Sequence, residues 1–161
     1  MIDRRTLLKF SITGLAVAAL PARLWADAAA GMAESALIYI TPMKQDGSES
    51  SCQAEVWFQL HDGAMYVVTS NKAWRAVAVG KGLSSARVWV GDVGQWKSAD
   101  GKYKALPVVT TQAALVGDKG VQTAVLAKMG AKYSAEWSSW GPRFNDGLAD
   151  GSRVMLRYTP V

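Results

Sequence analysis

Three strand-like segments joined by two Asp-Gly turns constrain the fold of this chain more than any other feature. The apolar, β-branched segments cover residues 36–41, 52–60 and 64–69. Asp46-Gly47 and Asp62-Gly63 stand between them, and Asp-Gly is the dipeptide favoured in tight hairpin turns. The pattern therefore predicts an antiparallel meander.

The remaining chain predicts further strands and little helix. Apart from one or two helical turns over residues 72–79, the helical spacing of Val121, Ala124, Val125 and Met129 predicts one helix, capped by Asp118. The other predicted strands are 87–91, 103–116 (one strand, or a pair broken near Pro107) and 153–158. About six strands with one or two helices predict a mainly β, α+β domain built as a six-stranded antiparallel β-barrel.

The N-terminus has the pattern of an export signal. Arg4-Arg5 precedes Thr6-Leu7-Leu8-Lys9, an apolar run over residues 10–20 and small residues near position 28. This arrangement resembles the twin-arginine signal, with Asp3 in place of the usual Ser or Thr. We predict a signal peptide over residues 1–28, a partner in the twin-arginine export machinery, and a periplasmic or extracellular location. The apolar run is too short for a stable membrane span.

The net charge of +5 does not indicate a nucleic-acid-binding protein. Of the 18 basic residues, four lie within the first 26 positions beside one acidic residue, Asp3. The rest of the chain carries 14 basic and 12 acidic side chains. Such a balance lacks the basic surface that phosphate backbones require.

The sequence contains no recognisable catalytic set and no metal-ligand set. It has one cysteine, Cys52, and one histidine, His61, which falls in a predicted surface turn. These two side chains cannot form a structural zinc site. Seven tryptophans are many for 161 residues, and such side chains fill a core, line a pocket for a planar ligand, or do both. Reaction chemistry supplied by an organic cofactor fits this composition.

The stretch from Ala64 to Arg75 is the best candidate for an anion site. An apolar strand leads into Thr69-Ser70-Asn71, followed by Lys72, Trp74 and Arg75. Hydroxyls, backbone N–H groups and cations at a strand end suit a phosphate. The alternative is an ordinary solvated connection.

Several segments in order resemble the flavin-binding split β-barrel family, which includes pyridoxamine-phosphate-oxidase-like proteins and reductases dependent on the deazaflavin F420. The similar segments are Glu55-Val56-Trp57-Phe58, residues 65–70, Trp74-Arg75, residues 87–91, Lys132-Tyr133, Trp137 and residues 154–160. Together they cover residues 36–160, the domain predicted to follow the signal peptide. Residues 92–112 do not match the pattern.

The resemblance implies a binding site for FMN or F420 and a homodimer. Cofactor contacts would come from Thr69, Ser70, Lys72, Trp74, Arg75 and Trp57, with Arg75 the main phosphate ligand. Tyr133, Trp137 and Trp140 would cover the side of a small-molecule substrate, although each tryptophan could equally belong to the core. The implied function is hydride transfer by an exported oxidoreductase. Two alternatives stay open: a non-enzymatic carrier of a planar ligand such as haem, with His61 as the available iron ligand, and a barrel with no ligand.

Overall fold

The computed structural model describes residues 29–161. The signal peptide predicted over residues 1–28 lies outside this range. Between residues 29 and 161, no helix is both long and apolar enough to cross a membrane.

One antiparallel sheet forms the framework. Its strands are β1 (Ile38–Pro42), β2 (Ala54–Val56), β3 (Gln59–His61), β4 (Ala64–Ser70), β5 (Ser85–Val90), β6 (Val108–Leu115) and β7 (Arg153–Pro160). They are hydrogen-bonded in the order β2-β1-β5-β6-β7-β4-β3. The final strand therefore pairs in the middle of the sheet, between β6 and β4.

Both Asp-Gly turns form as predicted. Asp62 and Gly63 have φ values of 45° and 73°, and His61 pairs with Ala64. Two positive φ angles are what a two-residue type I′ hairpin requires. In the other turn, Asp46 accepts hydrogen bonds from the Ser48 backbone N–H and hydroxyl, which closes the chain between β1 and β2.

The prediction of a six-stranded barrel is wrong at one segment, because the sheet has seven strands. Residues 52–60 were expected to form one strand, but the chain breaks at Trp57-Phe58 and gives β2 and β3. These two short strands lie at opposite edges of the sheet. The result is a seven-stranded half-barrel, and the two residues of the break connect its edges.

More of the chain is helical than predicted. Residues 29–34 are helical, and helices α1 (Trp74–Gly80), α2 (Lys119–Lys132) and α3 (Trp137–Asp150) follow, with a 3-10 turn at Lys102–Ala105. Asp118 caps α2 as predicted, accepting from Val121 N at 3.0 Å. Helix α3 was not predicted, although Trp137, Trp140, Phe144 and Leu148 have helical spacing. Pro142 lies inside α3, a position where proline ordinarily disfavours a helix.

The alternation of side chains along β4 divides two cores. Met65 and Val67 belong to the interior of the half-barrel, where Leu156 and Tyr158 also pack. Tyr66 and Val68 point to the other face and contact the cluster under α2 and α3. A third cluster of Tyr39, Trp89 and Tyr103 packs with residues of the 92–107 region.

Candidate functional site

A cleft lies where β4 loses its outer neighbour. Strand β3 pairs only with residues 64–66 of β4, whereas β7 pairs with the whole stretch 65–70. The free edge from Val68 to Ser70 opens onto a cleft of about 480 Å³, a volume typical of small-molecule sites. Its lining consists of Leu37, Glu55, Val56, Trp57, Val68, Thr69, Ser70, Arg75, Trp140, Phe144 and Arg153.

Arg75 reaches the cleft from the first turn of α1. Its Nη1 donates to Thr69 Oγ1 at 2.7 Å, and Thr69 is buried. In the described chain Nε is buried without a hydrogen-bond partner, and no carboxylate forms an ion pair with the guanidinium. Arg75 is therefore a positioned cation whose charge is not neutralised by the residues around it.

The polar turn Thr69-Ser70-Asn71, which precedes α1 and Arg75, is hydrogen-bonded to the chain after α3. Asn71 donates from its side chain to Gly151 O at 2.7 Å and from its backbone to Ser152 O at 3.0 Å. Ser70 Oγ accepts from Lys72 N at 3.2 Å. These contacts fix the polar turn against the start of β7, so the cleft is bounded by anchored backbone.

Aromatic rings form the opposite wall of the cleft. Trp140 and Phe144 come from α3, and Trp57 comes from the break between β2 and β3. Trp57 meets both rings edge-on, with centroids 6.0 and 6.4 Å away. An aromatic wall beside a cation suits a planar ligand with an acidic tail.

The cleft contains three polar or aromatic residues that the sequence did not indicate. Arg153, Glu55 and Phe144 all line it, and the Glu55 carboxylate accepts from Trp96 N at 3.2 Å. Arg153 pairs with Ser70 across β4 and β7, a neighbour relation that depends on the last strand pairing with β4. No local motif reveals that pairing.

The structure places five of the nine predicted site residues in this lining: Thr69, Ser70, Arg75, Trp57 and Trp140. The other four are elsewhere. Lys72 is exposed, Trp74 lies on the surface under the Lys81 ammonium group, 5.4 Å from its ring, and Trp137 packs against Gly130 and Gly141. Tyr133, the fourth, is buried.

Tyr133 holds the break in the strand. Its ring stacks on Trp57 with centroids 4.3 Å apart. Its hydroxyl accepts from Phe58 N at 2.9 Å and lies 2.8 Å from Phe58 O and 3.0 Å from Ala36 O, both acceptors. Burial raises the pKa of this hydroxyl, so it stays protonated and able to donate. Tyr133 therefore supports the cleft from behind, through Trp57.

Lys132 gives a prediction on the pH dependence of stability. Its ammonium group lies 3.6 Å from the centre of the Phe58 ring and donates to Phe58 O at 3.3 Å. Burial lowers its pKa from 10.5 to about 8, so between these values the unfolded chain binds more protons than the folded one. The free energy of unfolding should therefore gain a contribution from Lys132 as pH rises from 8 towards 10.5. Urea unfolding at pH 7.5 and 9.5 should show a smaller rise in Lys132→Met; an equal rise in both proteins would contradict the assignment.

The single histidine lies away from the cleft. His61 Nδ1 is 2.9 Å from Lys128 Nζ, and its Nε2 is 3.4 Å from the Asp62 carboxylate. Its ring also meets Tyr66 edge-on. Among residues 29–161, no group of three or more His, Cys, Asp or Glu side chains is placed to hold a metal ion.

Comparison with known proteins identifies the fold. No family model matches the chain, and no curated protein sequence is similar to it. Solved structures do match. A candidate pyridoxamine 5′-phosphate oxidase from Listeria innocua is 12% identical with a TM-score of 0.54, over 85% of this chain and 93% of that one. The haem storage protein HutZ from Vibrio cholerae is 14% identical with a TM-score of 0.55, over 86% and 90%.

A third structure extends this comparison. A candidate 5-nitroimidazole antibiotic resistance protein from Bacteroides thetaiotaomicron is 6% identical with a TM-score of 0.55, over 84% of this chain and 78% of that one. The chain thus has the pyridoxamine-oxidase-like split-barrel fold. Proteins of this fold carry different functions, so the fold does not decide among them.

Proposed function

We propose that this chain binds a flavin-type cofactor, FMN or F420, in the cleft and acts as an oxidoreductase on a small molecule. The observation that carries the proposal is Arg75, a cation of the cleft lining that has no carboxylate partner among the described residues and lies beside Thr69 and Ser70. Guanidinium and hydroxyl donors suit a phosphate, and a cleft of about 480 Å³ can hold a flat ring system.

Different residues of the cleft would bind the phosphate and the ring of the cofactor. Arg75, Thr69 and Ser70 would hold the phosphate. Trp57 would contact the ring and exclude water from one side of it, and Trp140 would cover the substrate side. The bound cofactor would supply hydride-transfer chemistry, so the chain need not provide an acid–base pair.

Haem binding through His61 is the weaker alternative. In the described structure His61 contacts Lys128 and Asp62 and does not line the cleft. A haem iron at His61 would therefore lie outside the aromatic and cationic surfaces described above. The split-barrel fold is shared with a haem storage protein, and this likeness supports the fold alone.

We further propose export and a homodimer, both of which are expected from the sequence. Export through the twin-arginine machinery would deliver a folded, loaded protein to the periplasm or cell exterior. A homodimer is expected from the family resemblance, and light scattering of the purified chain measures it directly.

Titration with FMN, riboflavin and F420 tests the proposed function. Quenching of tryptophan fluorescence reports binding, because Trp57 and Trp140 line the cleft. We expect FMN or F420 to bind at micromolar concentration or tighter, and FMN to bind at least tenfold more tightly than riboflavin, which lacks the phosphate. The proposal would be contradicted if the protein bound neither FMN nor F420. It would also be contradicted if haem alone bound, as seen from a shift of the haem Soret band.

A further inference from the structure

Arg153, the second arginine of the cleft lining, lies over two aromatic rings. Its guanidinium carbon is 5.9 Å from the Trp140 ring centre and 5.5 Å from that of Phe144. Its stem lies against α3 at Gly147, where an added Cβ would come within 2.7 Å of Arg153 Cγ and Cδ. The missing side chain at Gly147 leaves the space that the arginine stem occupies.

The charge of Arg153 has no partner among the described residues. It makes no ion pair with a carboxylate there, and its side chain is half-buried. Glu55, the one carboxylate of the cleft lining, accepts from Trp96 N instead. A half-buried guanidinium on an aromatic surface is weakly screened, so an anion placed beside it would be bound more strongly than at an exposed arginine.

Arg153 and Arg75 reach the cleft from opposite faces of the sheet. Thr69, which contacts Arg75, lies two residues after Val67 in β4, so its side chain faces the half-barrel interior as that of Val67 does. Ser70 and its partner Arg153 follow Val68 and Met155, which pack under α3. The free edge of β4 lies between the two cations, so one phosphate held by Arg75 leaves Arg153 available for a second group.

We infer that Arg153, Trp140 and Phe144 form a subsite for an acidic group carried on a planar substrate. The ring lies against the aromatic wall and its carboxylate accepts from the guanidinium, which donates in a planar fork. On the β2 side of the cleft, the Glu55 carboxylate would repel the acidic group of the substrate. The substrate is therefore favoured in the orientation that places this group beside Arg153. This inference deepens the proposed function. It rests on that function only because the cofactor and the acidic group would share one cleft.

Two probes of matched shape test the subsite in the protein as purified. We expect 2-naphthoate to bind at least tenfold more tightly than 2-naphthalenemethanol, which has the same rings without the charge. Arg153→Gln should reduce this preference to threefold or less. Arg143→Gln is the matched control, because Arg143 also lies over the Trp140 ring, at 5.2 Å, but is exposed and outside the cleft lining. It should keep the preference.

Gly147→Ala provides a variant that keeps the charge. The new methyl group would displace the Arg153 stem, so the preference for naphthoate should fall although every arginine remains. Equal binding of both probes by the wild-type chain, or equal losses in the Arg153 and Arg143 variants, would overturn the subsite. If instead the preference depends on Arg153 while neither FMN nor F420 binds, the flavin proposal fails and the acidic-substrate subsite stands.

Discussion

Arg75→Gln is expected to remove the advantage of FMN over riboflavin. Arg75 is the cleft cation fixed by Thr69, and each charge-assisted hydrogen bond to a phosphate is worth roughly 1.5–3 kcal/mol. The loss of the guanidinium should therefore weaken FMN binding by about a hundredfold, which corresponds to about 3 kcal/mol. Riboflavin has no phosphate, so its affinity should change less than about threefold on the same estimate. Fluorescence titration of both ligands measures the difference directly.

Two variants separate the geometry of Arg75 from its charge. Arg75→Lys keeps the charge but loses the planar fork, so it should recover only part of the FMN affinity. Lys72→Gln removes one positive charge from an exposed neighbour outside the cleft lining, and should leave FMN affinity within about threefold because surface charges are screened. Equal losses for FMN and riboflavin in Arg75→Gln would show that Arg75 shapes the cleft without binding the phosphate.

The sequence predicted those parts of the fold that depend on local chemistry. Asp62-Gly63 predicts its hairpin because both positive φ values suit that dipeptide, and Asp118 predicts the start of α2 because its carboxylate caps the helix. The polar turn at 69–75 could be found in the same way, since strand, hydroxyls and cations follow one another in the chain.

The missed features depend on contacts between distant segments. Trp57-Phe58 reads as the middle of a strand, but Tyr133, 75 residues further on, bonds to Phe58 and holds the break there. Arg153 enters the cleft only because β7 pairs with β4. The sequence could place aromatic residues near a ligand, but it could not separate Trp140, which lines the cleft, from Tyr133, which supports the wall behind it.

The same substitution at two buried tyrosines should have different effects on stability. Tyr133→Phe removes the hydroxyl that bonds to the backbone of Phe58 and to Ala36 O, and leaves the buried Phe58 N–H without this partner. An unsatisfied buried group costs about 1–3 kcal/mol, so we expect a loss of roughly 2–3 kcal/mol in the free energy of unfolding. Urea denaturation followed by tryptophan fluorescence measures it.

Tyr158→Phe is the matched control for this prediction. The Tyr158 hydroxyl is also fully buried, but it has no hydrogen-bond partner among the described residues. Removing a buried polar atom that makes no bond should leave stability unchanged or raise it by up to about 1 kcal/mol. Because both variants lose one oxygen from a buried ring, the difference between them isolates the bonds that hold the strand break. Similar losses in both would mean that the hydrogen bonds of the Tyr133 hydroxyl add nothing specific to stability, which contradicts the prediction.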